Sequence, residues 1–277
     1  MCGIIGCVSM DGRPEKLRTD MLRHRGPDDS GAEVYGSTVG KARATLGSTR
    51  LSILDLSSAG HMPMVYPGLP IAITYNGEAY NFAQLRAELR QLGEEFFSGT
   101  DTEVLLRGYR AWDDRMVDRL QGMFAFALWD GRGSGRLLLA RDRFGKKPLY
   151  YRIEPDGTLW FTSELKAALA HQAHREIDAT ALAYYLDRGY PPPDRCLLKG
   201  WQKLRPGHTL EWREGKVALR RYWAPPEEDP SLLHISGADA ARELRERLER
   251  AVKARLVADV PVGALLSGGW TPRPSWP

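Results

Sequence analysis

The chain has 277 residues, of which 43% are hydrophobic, 27% charged and 9% aromatic. That is ordinary globular composition, which excludes a collagen, a coiled-coil rod and a long disordered tail. The net charge of +4 is small for this length and is not the footprint of a nucleic-acid binder.

The length suggests one large domain or two small ones. No apolar run is long enough for a transmembrane helix, and the N-terminus reads without a secretory leader, so no membrane partner is expected. Cys2, Cys7 and Cys196 make no disulfide framework, and a reducing, cytoplasmic location follows as an expectation.

The apolar run 3–8, bounded by glycines, predicts a buried strand that starts almost at residue 1. Residues 14–24 predict a helix, with Pro14 in its first turn and Gly26-Pro27 closing it. Strands are predicted at 32–35, 38–46, 51–54 and 71–75. A helix over 82–92 carries Phe82, Leu85, Leu89 and Leu92 on one face, and a second over 102–112 has Thr100 or Asp101 as its cap. Strands are expected again at 123–129, 136–141, 149–153 and 159–162. Two packed sheets with helices outside is the simplest layer arrangement for this order.

Beyond about residue 165 the texture changes. Residues 178–187 predict a helix, 190–193 a rigid proline stretch, and 208–212 with 217–222 a hairpin. Residues 224–236 read as a linker. Residues 238–257 predict a long Arg/Glu helix with Leu244, Leu248, Val252 and Leu256 in one row. A buried strand over 260–266 then runs into Ser267-Gly268-Gly269. A helix, a strand and a Gly-rich turn are how an α/β nucleotide-binding domain begins.

Cys2 is the first candidate for chemistry. With Met1 removed it would hold a thiol and a free α-amine on one residue, nucleophile and base together. Arg50, at the edge of an apolar strand, can grip a carboxylate with two hydrogen bonds, although a surface ion pair is the commoner fate of a lone Arg. Asn76-Gly77 is first a turn signal, yet an Asn amide and a Gly N–H can also donate together to an oxyanion. Glu78 could accept from an ammonium group. Asp101 could be a helix cap or a second acid beside Glu78. Together these describe a site for an α-amino acid with a side-chain carbonyl, and glutamine is the obvious candidate. No metal site is expected, because the spacing of His171 and His174 is not completed by a cysteine or acid cluster.

Cys2-Gly-Ile-Ile-Gly6, Arg23-His24-Arg25-Gly26-Pro27-Asp28, Arg50-Leu-Ser-Ile53, Asn76-Gly77-Glu78, Ser98-Gly-Thr-Asp101 and Leu120-Gln-Gly-Met-Phe-Ala-Phe126 follow one another along the chain. In that order they resemble class II glutamine amidotransferases, and glutamine-hydrolysing asparagine synthetases most of all. The stretches 141–151 and 163–167 sharpen the likeness, which runs to Gly269. The resemblance implies an α+β fold, the four-layer αββα sandwich of N-terminal nucleophile hydrolases, followed by the start of an α/β ATP-pyrophosphatase domain. It implies that Cys2 attacks the glutamine amide while Asn76 and the Gly77 N–H hold the oxyanion. Arg50 would bind the α-carboxylate, Glu78 and Asp101 the α-ammonium, and backbone at Ile53 and Leu54 would line the site. The glutaminase step would need no cofactor. In an intact relative the ammonia would reach a second domain, where ATP and Mg serve the amidation of aspartate. A homodimer is allowed.

In that family Leu266, Ser267, Gly268 and Gly269 would open the pyrophosphate loop of ATP. Here Trp270-Thr-Pro-Arg-Pro-Ser-Trp-Pro277 follows instead. Read one base earlier, those codons give an apolar residue, then Asp, then three positions that can all be Ser, which restores the loop. We therefore expect a lost base near the codons of Gly268 and Gly269. The expected division is a glutaminase domain over 1–170, a connecting segment with hairpin over 171–236, the start of a synthetase domain over 237–269, and an aberrant tail over 270–277. Two alternatives stay open: the glutaminase half of another amide-forming or amino-transferring enzyme, and an inactive fragment that acts only by binding.

Overall fold

The computed structural model describes residues 1–12, 15–171, 175–227, 230 and 234–264. Two six-stranded antiparallel sheets face each other. The first contains β1 (Gly3–Ser9), β2 (Asp29–Gly36), β3 (Arg43–Arg50), β8 (Tyr150–Ile153), β9 (Leu159–Thr162) and β10 (Gln202–Lys203), in the order β10-β8-β9-β1-β3-β2. The second contains β4 (Met64–Val65), β5 (Ile71–Ala79), β6 (Gly122–Asp130), β7 (Arg136–Arg141), β11 (His208–Arg213) and β12 (Lys216–Arg221), in the order β12-β11-β7-β6-β5-β4.

The central strands are apolar on both faces, as strands covered on both sides must be. Ile4, Val8, Leu46, Ala125, Ala127, Trp129, Leu137 and Phe161 fill the space between the sheets. Gly6 has no side chain because the Phe161 ring takes its place: a Cβ there would lie 2.4 Å from the ring edge. The opposite residues of β5 and β6, among them Ile73, Tyr75, Phe124 and Phe126, pack under α1 (Phe82–Gln91) and α2 (Asp101–Trp112) through Leu85, Leu89, Val104, Leu105 and Tyr109. A short helix, α3 (Met116–Arg119), follows α2. On the other outer face Ile5, Leu17, Leu22 and Ala167 join a 3-10 turn, Thr19–Arg25, and α4 (Leu165–Leu169) to the first sheet. The expected helix–sheet–sheet–helix sandwich is present.

Several local expectations need correction. The helix predicted over 14–24 is a 3-10 turn at Thr19–Arg25, residues 13 and 14 lying outside the described set. The Leu22 carbonyl, which an α-helix would offer to residue 26, accepts from Thr49 Oγ1, and Gly26 N–H closes on Arg23 O instead. The strand predicted over 38–46 starts at Arg43. Thr38 and Val39 give their N–H groups to Gly131 and Gly133 across a loop. No strand occupies 51–54, since β3 ends at Arg50 and the chain turns around that residue's side chain. The hairpin expected in the connecting segment, β11 with β12, extends the second sheet by pairing β11 with β7.

Past the sandwich, α5 (Ala179–Arg188) is capped by Asp178 and ends on a left-handed Gly189. The long helix α6 (Gly237–Lys253) is capped by Ser236 and ends four residues before the predicted 257; Leu244, Leu248 and Val252 on it, and Leu256 beyond its end, are exposed. Residues 260–264 carry no strand, and the rest of the strand predicted there lies outside the described residues. Among the described residues no helix is long and apolar enough to cross a membrane.

Candidate active site

Cys2 stands at the mouth of β1. The register Gly3 to Thr49 brings it beside the end of β3, and thus beside Arg50. Gly3 permits that approach, because a Cβ would lie 2.8 Å from Thr49 Oγ1 and 2.9 Å from Leu22 Cβ. The Cys2 carbonyl accepts from Arg25 Nε at 2.9 Å, and Arg25 is anchored in turn by Glu164 at 2.8 Å. The nucleophile's backbone is therefore fixed by a guanidinium. Its Sγ lies 3.9 Å from the Leu51 carbonyl. Burial pushes the Cys2 thiol pKa up, and the carboxylates of Asp101 and Glu78 push the same way. At rest this is a neutral thiol, which needs a base before it can attack.

Asn76-Gly77-Glu78 does not form the turn that its sequence suggests. It lies inside β5, where Asn76 pairs with Ala125 and Gly77 with Phe124. Gly77 is required by that neighbour strand: a Cβ would meet the Met123 carbonyl at 2.5 Å and Phe124 Cβ at 2.7 Å. Alternation along β5 turns Ile73 and Tyr75 to the helices and Ala72 to the space between the sheets, so Asn76 faces that space. Its amide is fully buried, and neither Nδ2 nor Oδ1 has a hydrogen-bond partner among the described residues. Unpaired buried amides are rare because each atom forfeits its bonds to water.

Asp101 is not the cap of α2. Thr100 Oγ1 accepts from Glu103 N–H at 3.2 Å and takes that role, which frees Asp101 to turn inward. There its Oδ2 accepts from Tyr75 Oη and from Ala79 N–H, both at 2.8 Å. Burial raises the Asp101 pKa. Burial, and then the Asp101 charge, push the half-buried Glu78 carboxyl up to about 7.

Arg50 is buried and forms no surface ion pair among the described residues. Its Nη2 donates to the carbonyls of Leu54 at 3.0 Å and Asp55 at 2.5 Å, and its Nη1 to Ser57 at 3.0 Å. The loop after β3 is thus wrapped around a guanidinium. Gly60 makes room for it, since a Cβ there would lie 2.0 Å from Nη2. Nε and the second Nη1 hydrogen have no acceptor among the described residues.

Cys2, Arg50, Ile53, Leu54, Gly77, Glu78 and Asp101 all line one cleft of about 30 Å³, and Asn76 lies buried behind it. The sequence reading missed other groups there. Arg25 holds the Cys2 carbonyl, a role that its place in the 23–28 stretch does not signal. Lys147 is buried, and its pKa is lowered by that burial against the opposing pull of Glu78 and Cys2. The second of two adjacent lysines, followed by Pro-Leu-Tyr-Tyr, was the available signal. Leu266, Ser267, Gly268 and Gly269 lie outside the described residues.

A family model described as a glutamine amidotransferase domain matches residues 1–223. The chain belongs to the glutamine amidotransferase family. Residues 243–270 match a second model, described as asparagine synthase. Over 97% of its length the chain is 38% identical to asparagine synthetase [glutamine-hydrolyzing] 3 of Bacillus subtilis, covering 44% of that protein. It is 36% identical to the asparagine synthetase of Zea mays over 97% of this chain and 40% of that one. The chain thus spans less than half the length of these relatives. Among solved structures, the glutamine phosphoribosylpyrophosphate amidotransferase of B. subtilis aligns with a TM-score of 0.54 at 17% identity, over 80% of this chain and 50% of that one. At that identity the likeness is one of fold, and it agrees with the sandwich described above.

Proposed function

We propose that this amidotransferase domain hydrolyses glutamine to glutamate and ammonia. Once Met1 is removed, the Cys2 α-amine takes the thiol proton and Sγ attacks the side-chain carbonyl carbon. The oxyanion that forms accepts hydrogen bonds from Asn76 Nδ2 and the Gly77 N–H. The C–N bond then breaks, the amine returns its proton to the leaving nitrogen, and ammonia departs from a thioester. Water adds to the thioester carbon, the C–S bond breaks, and glutamate leaves the restored thiol. The free N–H groups of Arg50 suit the α-carboxylate, and Glu78 with Asp101 suit the α-ammonium.

The observation that carries this reading is the unpaired, fully buried Asn76 amide behind the Cys2 cleft. A fold maintains such a group at a cost, and an oxyanion would accept from its Nδ2. The finer reading is that the ammonia serves ATP-dependent amidation of aspartate, with the division into a second unit near residue 237. It is supported by what the relatives are named for and by the match over 243–270. A cytoplasmic location is proposed on the three free cysteines.

The test is glutamate release by purified protein whose N-terminus has been checked for Met1 removal. Wild type should release glutamate and Cys2→Ala should not, with unchanged circular dichroism. Activity that survives Cys2→Ala would refute the assignment.

A further inference from the structure

The loop after β3 is held from two sides. Arg50 gathers the carbonyls of Leu54, Asp55 and Ser57 from within. From outside it is held by a segment some 200 residues further along. Asp259 N–H donates to the Ile53 carbonyl at 2.9 Å, and Asp259 Oδ2 accepts from Asp55 N–H at 2.7 Å. Reciprocal bonds of this kind grip both faces of one peptide segment. A second tie lies close by, where the Arg255 guanidinium stacks over the Tyr80 ring at 4.6 Å. Tyr80 follows Ala79, whose N–H holds Asp101.

Asp55 is the residue through which this grip reaches the cleft. It adopts φ +54°, a backbone region that Asp enters more readily than other side chains and that turns its carboxylate into the loop. Its carboxylate accepts from Gly99 N–H at 2.7 Å and from Ser57 Oγ at 2.5 Å. Gly99 begins the turn that leads to Asp101. One residue therefore links Asp259, the Arg50 loop and the turn that places the second acid. Ile53 and Leu54 of this loop line the cleft together with Cys2, so a glutamine that enters it meets the loop. The conformational balance of the loop then enters the affinity directly.

We propose that Asp259 is a positioning residue for glutamine binding. It latches the Ile53–Asp55 wall of the cleft to the stretch that matches asparagine synthase, so that this second unit governs glutamine affinity. The idea rests on the glutaminase reading above. The latch makes its contribution through backbone groups and touches neither Cys2 nor Asn76, so it acts on KM and leaves the bond-breaking steps alone.

The experiment compares full-length wild type, Asp259→Ala and Asp259→Asn. Asp259→Ala should raise KM for glutamine about five- to tenfold, the worth of one charge-assisted hydrogen bond at a partly solvated site, with kcat within about twofold. Asp259→Asn keeps an oxygen acceptor for Asp55 N–H and should recover most of the affinity. An unchanged KM in Asp259→Ala, or an asparagine variant as weak as the alanine one, would overturn the latch. A readout independent of activity is amide hydrogen exchange at Asp55, which should be slow in wild type and accelerate in Asp259→Ala. If wild type lacks glutaminase activity the proposed function fails, yet the exchange experiment still decides the latch: equal exchange in both proteins refutes it.

Discussion

Asn76 offers a separation of stability from activity that few residues allow. Replacing it with alanine removes the amide that would face the oxyanion. Loss of one such donor lowers kcat by about 10²–10³-fold, roughly 2.7–4 kcal/mol of transition-state stabilisation. The same change acts differently on the fold. Both polar atoms of the amide are buried without a partner among the described residues, and each buried unpaired group costs about 1–3 kcal/mol. Truncation abolishes that cost and leaves a cavity smaller than a leucine would, so the two effects oppose each other. The expected result is a kcat fall of at least about a hundredfold, little change in KM, and an unfolding free energy within about 2 kcal/mol of wild type. Glutamate release under saturating glutamine and chemical denaturation measure the two sides. An alanine variant that keeps kcat within threefold would refute the oxyanion role. A variant that loses activity only because it unfolds would refute the claim that the amide is held for a ligand.

Glu78 should give the glutamine site a pH dependence. Its pKa, pushed from 4.5 up to about 7, leaves it protonated just below neutrality, when it can no longer pair with an α-ammonium. KM for glutamine should therefore rise as pH falls through about 7, and Glu78→Gln should be weak and flat across that range. The stability sign is opposite. The folded chain holds a proton on Glu78 that the unfolded chain releases between 4.5 and about 7, so the unliganded protein should lose stability as pH rises through that window. Glu78→Gln should remove that slope in thermal melts; a wild-type slope that persists in the variant would place the titration elsewhere. Glu103, fully buried, accepts from Phe97 N–H, Ser98 N–H, Ser98 Oγ and Arg107, and so holds the turn before Asp101. Glu103→Ala leaves buried Arg107 with Glu94 as its carboxylate partner and strips the acceptor from the Phe97 and Ser98 N–H groups, so it should cost about 3 kcal/mol by denaturation. A loss below about 1 kcal/mol would show that the network is solvated.

What could be read from sequence, and what could not, follows the range of the forces involved. Continuous apolar runs marked β1, β6, β7 and β9 because those strands bury side chains on both faces whatever lies beyond them. Met64–Val65 and Gln202–Lys203 carry no such pattern: each is two residues long and owes its strand geometry to the edge it pairs with. Asn76-Gly77 signals a turn through its own chain, and only the backbone of β6, 2.5 Å from the missing Gly77 Cβ, shows why glycine sits mid-strand. Likewise 51–54 has the residues of a strand, but Arg50 withdraws the carbonyls of 54, 55 and 57 from any sheet.

The same distinction separates the parts of the site. Cys2, Glu78 and Asp101 could be named from the kind of atom they carry, because nucleophile, acid and base are properties of a side chain. Their working states are not. The neutral resting thiol of Cys2 and the near-neutral pKa of Glu78 both come first from burial, which no single stretch of sequence contains. Lys147 is the sharpest case. By composition it is one more surface cation, but packing buries it among Glu78, Cys2 and Arg25. Its backbone is held there by Asp142, whose carboxylate collects the N–H groups of Phe124, Phe144, Lys146 and Lys147. A residue that makes no bond to Cys2 thus fixes where a positive charge stands beside it. The chemistry of the cleft is a property of the loop and strand ends that converge on it, and Asp259, reaching that same loop from beyond α6, belongs to the same set of constraints.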